Sequence, residues 1–149
     1  MRKIMMKELS LITTAILMFA TGSALACSCM KTELGAKYNE ASMVFLGHIT
    51  IAKEITNDPE VKKSKSANYI EATYKVIEVF KGKPVDGGSI IDGVYTGGSC
   101  AVGMLPGVDY IIFNNANNSV SICNGTKFYN SVKDVELINK LRVLHNNGG

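Results

Sequence analysis

Tyr69-Ile70-Glu71-Ala72-Thr73-Tyr74-Lys75-Val76-Ile77-Glu78-Val79-Phe80 opens with alternation: Ile70, Ala72, Tyr74 and Val76 share one face, and Glu71, Thr73 and Lys75 the other. That period of two belongs to a strand with one buried face. Upstream, Met43-Val44-Phe45-Leu46-Gly47-His48-Ile49-Thr50-Ile51-Ala52 is almost continuously apolar and rich in β-branched residues, which predicts another strand, with Gly47 marking a bulge or bend. Between the two, residues 56–68 are polar and carry Asn57-Asp58-Pro59 and Lys62-Lys63-Ser64-Lys65, a solvated loop.

Downstream, Lys81-Gly82-Lys83-Pro84 and Asp86-Gly87-Gly88 end the alternating segment. Residues 89–95 predict a short strand, residues 108–113 a fourth after Pro106-Gly107, and residues 119–123 a fifth after the Asn-rich turn 114–118. Five strands separated by turn signals predict a mainly β domain, a small barrel or sandwich. Two helices flank it. Leu34, Tyr38 and Ala41 fall on one face of a short N-terminal helix, and Val135, Leu137, Ile138, Leu141 and Leu144 form the apolar stripe of a C-terminal amphipathic one. Ser131, three residues before Asp134, predicts a capping box at its start.

The first 26 residues read as a secretory signal: Arg2, Lys3 and Lys7, then an apolar run over residues 9–20, then Ala24-Leu25-Ala26 as a cleavage site. The run is too short to predict a membrane-spanning helix, for which roughly 20 apolar residues are needed. The working protein is therefore expected to be a single domain of residues 27–149, exported to the cell exterior, the periplasm or the cell surface, and monomeric. The signal takes three of the 16 basic and one of the 13 acidic residues, so residues 27–149 carry 13 and 12. That near-neutral balance steers the chain to neither nucleic acid nor anionic lipid.

All four cysteines, Cys27, Cys29, Cys100 and Cys123, lie beyond Ala26 and predict two disulfides. Cys27 and Cys29 are two apart and their mutual bridge would close a strained ring, so each is expected to pair with Cys100 or Cys123, in either order. Each bridge then closes a loop of more than 70 residues, for which chain entropy supplies about 4 kcal/mol.

Catalytic patterns are missing from the sequence. His48 sits within an apolar strand and His145 near the C-terminal end, neither with a carboxylate or cysteine at metal spacing, and no nucleophile elbow or phosphate-binding loop is present. No enzymatic activity and no cofactor are expected. The distinctive group is created by cleavage itself, which would leave Cys27 with a free α-amine beside its own carbonyl. An α-amine has a pKa near 7.7–8.0, so part of it is neutral at physiological pH and can bind zinc together with the carbonyl.

Several motifs resemble those of the tissue-inhibitor-of-metalloproteinases, or netrin-like, family: Cys27-Ser28-Cys29 at the cleavage point, Val79-Phe80-Lys81-Gly82, Cys100, Gly107-Val108-Asp109-Tyr110-Ile111-Ile112-Phe113 and Cys123. The resemblance spans residues 27–149. It implies a five-stranded barrel of the oligonucleotide/oligosaccharide-binding type, and bridges Cys27–Cys100 and Cys29–Cys123. It further implies that Cys27 chelates the catalytic zinc of a metalloprotease, that Ser28 enters the pocket beyond it, and that Gly98 and Ser99 form a second contact. Netrin-like modules in other secreted proteins share the barrel without inhibiting, so the alternative is a non-inhibitory extracellular binding module. A competing fate for Cys27 is lipidation, which would consume both its thiol and its amine.

Overall fold

The computed structural model describes residues 27–56, 68–93 and 100–148. The signal segment, the lysine loop, the end of the predicted third strand, and Gly98 and Ser99 lie outside the described residues. Two long strands, β1 (Met43–Thr56) and β2 (Asn68–Lys81), pair antiparallel along their full length, from Val44↔Lys81 to Thr56↔Asn68. Both outrun the predicted segments, because pairing carries the ladder through residues 53–56 and takes in Thr56 and Asn68, the ends of the predicted loop.

The near-continuous apolar run of β1 follows from burial on both faces. Val44 and Leu46 point to one core, shared with Phe80 and with Ile111 and Phe113, under the two helices. Phe45 and Ile49 point to a second core inside the curl of the sheet, with Ala72, Tyr74, Ile90, Met104, Tyr110, Ile112 and Val120. Phe45 and Tyr74 meet there with ring centroids 4.7 Å apart and ring planes tilted by 46°. Gly47 faces this inner core, where a Cβ would stand 2.9 Å from the Phe45 ring and 3.1 Å from Ile112. Register shifts at Val44/Phe45, Leu46/Gly47 and Ile49/Ile51 bend the hairpin and help it to coil around that core.

Strand β3 (Ser89–Asp92) adds to β2, and β4 (Asp109–Asn114) to the other side of β1, both antiparallel. Strand β5 (Ser119–Val120) then pairs parallel to β3, and β6 (Lys127–Phe128) antiparallel to β4. The order is β5-β3-β2-β1-β4-β6, a six-stranded mixed sheet. Residues 115–118 join β4 to β5, elements near opposite ends of that order, and so hold the sheet in a curl. Asn115 builds this turn: its Oδ1 accepts from the N–H groups of Asn117 and Ser119, and Asn118 takes φ 58°, which asparagine tolerates.

The five predicted strands are thus present in a mainly β fold, with β6 as an unpredicted sixth. The predicted fifth strand stops at Val120, because Ser121 and Asn124 turn the chain: Ser121 Oγ accepts from the N–H groups of Cys123 and Asn124, and Asn124 Oδ1 from those of Ser121 and Thr126.

Helix α1 (Leu34–Glu40) and helix α2 (Val135–Asn147) cover the outer core, to which Tyr38, Ile138 and Leu141 contribute their buried side chains. Leu137 and Leu144 pack at its margin, whereas Val135 is exposed and outside the stripe. The predicted Ser131 cap is also corrected. Asn130 Oδ1 accepts from the N–H groups of Val132 and Lys133, so the turn before α2 is built by Asn130 while Ser131 stays exposed.

The Phe80-Lys81-Gly82 motif fastens these helices to β2. The Phe80 carbonyl accepts from Tyr38 Oη at 2.6 Å and from His145 Nδ1 at 2.8 Å, which requires the Nδ1–H tautomer or imidazolium. His145 therefore has a structural partner. The Lys81 ammonium donates to the carbonyls of Tyr38, Asn39 and Ala41 at 2.6–2.9 Å, satisfying acceptors at the C-terminal end of α1. Gly82 takes φ +75° with Ser42 O only 2.7 Å from where a Cβ would be.

Candidate functional site

Residues 27–33 precede α1 without regular structure. Two disulfides fix them, Cys27–Cys100 and Cys29–Cys123, with Cα separations of 5.4 and 5.1 Å. The two cysteines of the arm are half-buried while Ser28 between them is exposed. Two residues of one short segment are thereby bonded to two different parts of the domain, and Ser28 lies exposed between the tethers.

The receiving segments are themselves braced. Ile122 N–H donates to Cys100 O at 3.0 Å, so the Cys100 and Cys123 segments are tied to each other. Thr126 Oγ1 accepts from Phe113 N–H at 2.9 Å and lies 3.2 Å from Phe113 O, docking the turn that carries Cys123 onto β4. On the other side, the fully buried carboxylate of Asp92 accepts from Val102, Gly103 and Met104 N–H groups at 2.7–3.0 Å. Three such bonds to a charged acceptor offset much of the cost of burying it and hold the segment after Cys100 in one conformation. Tyr110 extends this brace, its Oη accepting from Leu105 N–H and lying 3.4 Å from Gly103 O. Burial raises the Tyr110 pKa above the usual phenol value; the Leu105 hydrogen bond opposes that rise and the nearby Asp92 charge adds to it.

Asp92 was missed by pattern reading, although a signal existed. Strand alternation places Asp92 on the inward face with Ile90, and an inward carboxylate demands partners. Of the site residues expected from sequence, the structure gathers Cys27, Ser28, Cys29, Cys100 and Cys123 at one tip, while the expected contacts Gly98 and Ser99 lie outside the described residues.

His48 does have a carboxylate neighbour, contrary to the reading from sequence. Its Nδ1 lies 2.6 Å from Asp109 Oδ1, because β1 and β4 place the two residues opposite each other. Both side chains are about two-fifths exposed, at 40% and 39%. Sequence spacing could not find the pair, since the residues are 61 apart.

A separate groove of about 490 Å³ runs between the distal half of the β1–β2 hairpin, at Ala52, Glu54, Tyr69 and Ile70, and residues 103–106. Leu105 on its margin is 59% exposed. Among the described residues, no helix is long and apolar enough to cross a membrane. No protein-family model and no curated protein sequence matches the chain.

Proposed function

We propose that the chain is an exported inhibitor of zinc metalloproteases, acting through the amine and carbonyl of Cys27 after cleavage behind Ala26. The observation that carries this reading is the double tether: Cys27 and Cys29 are each bonded to a braced segment, with Ser28 exposed between them. A chelating terminus held this way loses little conformational freedom on binding. The neutral amine and the carbonyl take positions on the protease's zinc and displace its reactive water, and Ser28 enters the pocket beyond. The zinc belongs to the partner; the inhibitor itself needs no cofactor for this role and catalyses nothing.

Topology supports the same reading. The β1-β2-β3 meander, β5 parallel to β3 and β4 antiparallel to β1 are compatible with the order expected of an oligonucleotide/oligosaccharide-binding barrel, and in this reading β6 is an addition. In the proposed setting the chain is secreted, periplasmic or held at the cell surface.

The groove beside Met104 and Leu105 favours a second reading, a non-inhibitory extracellular module that binds its partner through the barrel flank. One experiment separates the two. Mature protein beginning at Cys27 and the same protein with one added Ala are assayed against a panel of zinc metalloproteases. Inhibition by the first and none by the second supports chelation through the terminus. Equal potency, or inhibition by neither, rejects it.

A further inference from the structure

We propose that the four cysteines form a second kind of closed site: when both bridges are reduced, their thiolates bind one zinc ion tetrahedrally. The argument begins with positions of sulfurs that are not bonded to each other. Cys27 Sγ lies 4.0 Å from Cys29 Sγ and 3.7 Å from Cys123 Sγ, and all four sulfurs fall within 4.8 Å of one another. With zinc–sulfur bonds of about 2.3 Å, the edge of a tetrahedral tetrathiolate is about 3.8 Å. Cleaving the two bridges lets the bonded pairs part to the same edge by side-chain rotation.

Two of the four ligands are positioned without help from the bridges. Cys100 and Cys123 are carried on segments joined by the Ile122–Cys100 hydrogen bond and braced by Asp92 and Thr126. Cys27 and Cys29 supply the other two from one short arm, in a Cys-x-Cys spacing. All four side chains are half-buried, so the cluster is partly shielded from water. Soft thiolates favour zinc over calcium or magnesium, and a closed set of four leaves no open coordination position.

Atoms and charges balance. A small dithiol, or a trialkylphosphine in vitro, delivers two electrons to each bridge, and protons from water complete four thiols. Zinc then displaces four protons, leaving a tetrathiolate of net charge −2. The ion would hold the arm against the same two segments that the bridges hold, so the tip keeps its clamp under reducing conditions. This inference uses the sulfurs and is independent of the terminal amine invoked for inhibition.

The test is titration of phosphine-reduced protein with Co²⁺ under anaerobic conditions, on the chain beginning at Cys27 and on that chain with one added Ala. Both should take one ion per chain, with a thiolate-to-cobalt charge-transfer band and the intense visible bands of tetrahedral cobalt, and one equivalent of Zn²⁺ should bleach them. Air-oxidised protein should show neither band. Cys27→Ser, a change on the arm outside both cores, should weaken binding about a hundredfold or more. Absence of the charge-transfer band, weak octahedral bands, two chains per metal, or unchanged affinity in Cys27→Ser overturns the proposal. Since thiolate charge transfer does not report amine ligation, failure here and failure of protease inhibition are read separately.

Discussion

The sulfur of Cys27 lies 3.7 Å from that of Cys123, although its bond is to Cys100. A thiolate released anywhere in this cluster is within reach of a disulfide that is not its own, so exchange is local and fast once it begins. Peptide mapping without reduction should therefore be performed at acidic pH after alkylation. It is expected to recover Cys27 joined to Cys100 and Cys29 joined to Cys123. A peptide linking Cys27 to Cys123 under those quenched conditions would overturn the assignment.

At the proposed inhibitory tip, Ser28→Gly is expected to shift selectivity among proteases while retaining inhibition, since it changes only what enters the pocket beyond the zinc. A bulky charged residue there should weaken binding broadly. Inhibition should also decline as pH falls through the α-amine pKa of about 7.7–8.0, because metal ligation competes with the proton. Inhibition constants for a panel of enzymes, measured across pH with each protease's own profile subtracted, check both expectations.

Asp92→Asn should destabilise the domain by about 1–3 kcal/mol. The amide offers only one acceptor oxygen where the carboxylate uses both against three N–H donors, and its own NH₂ meets at least one of them. Hydrogen exchange at Val102, Gly103 and Met104 should accelerate beyond the global change. Unchanged protection at these three amides would show that the brace is idle.

Lys81→Met keeps the aliphatic stem and removes the donors to Tyr38, Asn39 and Ala41, at an expected cost of about 1–3 kcal/mol read from the denaturant midpoint. Gly82→Ala should cost a similar amount, about 1–3 kcal/mol, from φ +75° and the collision with Ser42 O. Loss in either variant should appear first as fraying of α1.

Acid should loosen the join between α2 and β6. Burial tends to raise the pKa of Asp134, but hydrogen bonds from Lys127 and Asn130 N–H and the charges of Lys127 and Lys133 outweigh it, leaving the carboxyl below its usual value. A lowered folded pKa means stability present above the unfolded value of about 3.9 and lost as pH falls through the folded one. Glu78, held low by its Arg142 hydrogen bond, acts in the same direction but at the exposed surface, where such pairs contribute little. Asp134→Asn should lower stability near neutrality and flatten the acid limb of urea midpoint against pH. An acid limb identical to wild type would assign the effect elsewhere.

The strands were legible because their cores impose a period: alternation in residues 70–76, and the unbroken apolar run of β1 from burial on two faces. Strand β6 was not, since Lys127 and Phe128 are both exposed and form a strand only by matching Ile111 and Tyr110 in register. The Phe128 ring meets Tyr110 edge-on at 6.2 Å, a contact no local pattern announces. The cysteines of the tip were legible because their number and spacing are conspicuous, while Asp92 and the His48–Asp109 pair were hidden by the opposite cause. Each is a common polar residue whose partners are chosen by the fold, Asp109 across the sheet for His48 and the amides of residues 102–104 for Asp92, and that proximity leaves no trace in the spacing.

The two bridges span 73 and 94 residues. A ribosome adding about 5–20 residues per second therefore separates the appearance of Cys29 from that of Cys123 by about 5–20 s. Cys27 has no native partner until Cys100 is made and Cys29 none until Cys123, and until then the nearest thiol in sequence to each is the other member of Cys-x-Cys. Because a Cys27–Cys29 bridge would close a strained ring, the arm is expected to stay reduced, or to exchange, until its partners arrive. Both β6 and α2 follow Cys123 in the chain, so the domain to which the arm is fastened is completed only after all four cysteines have been made.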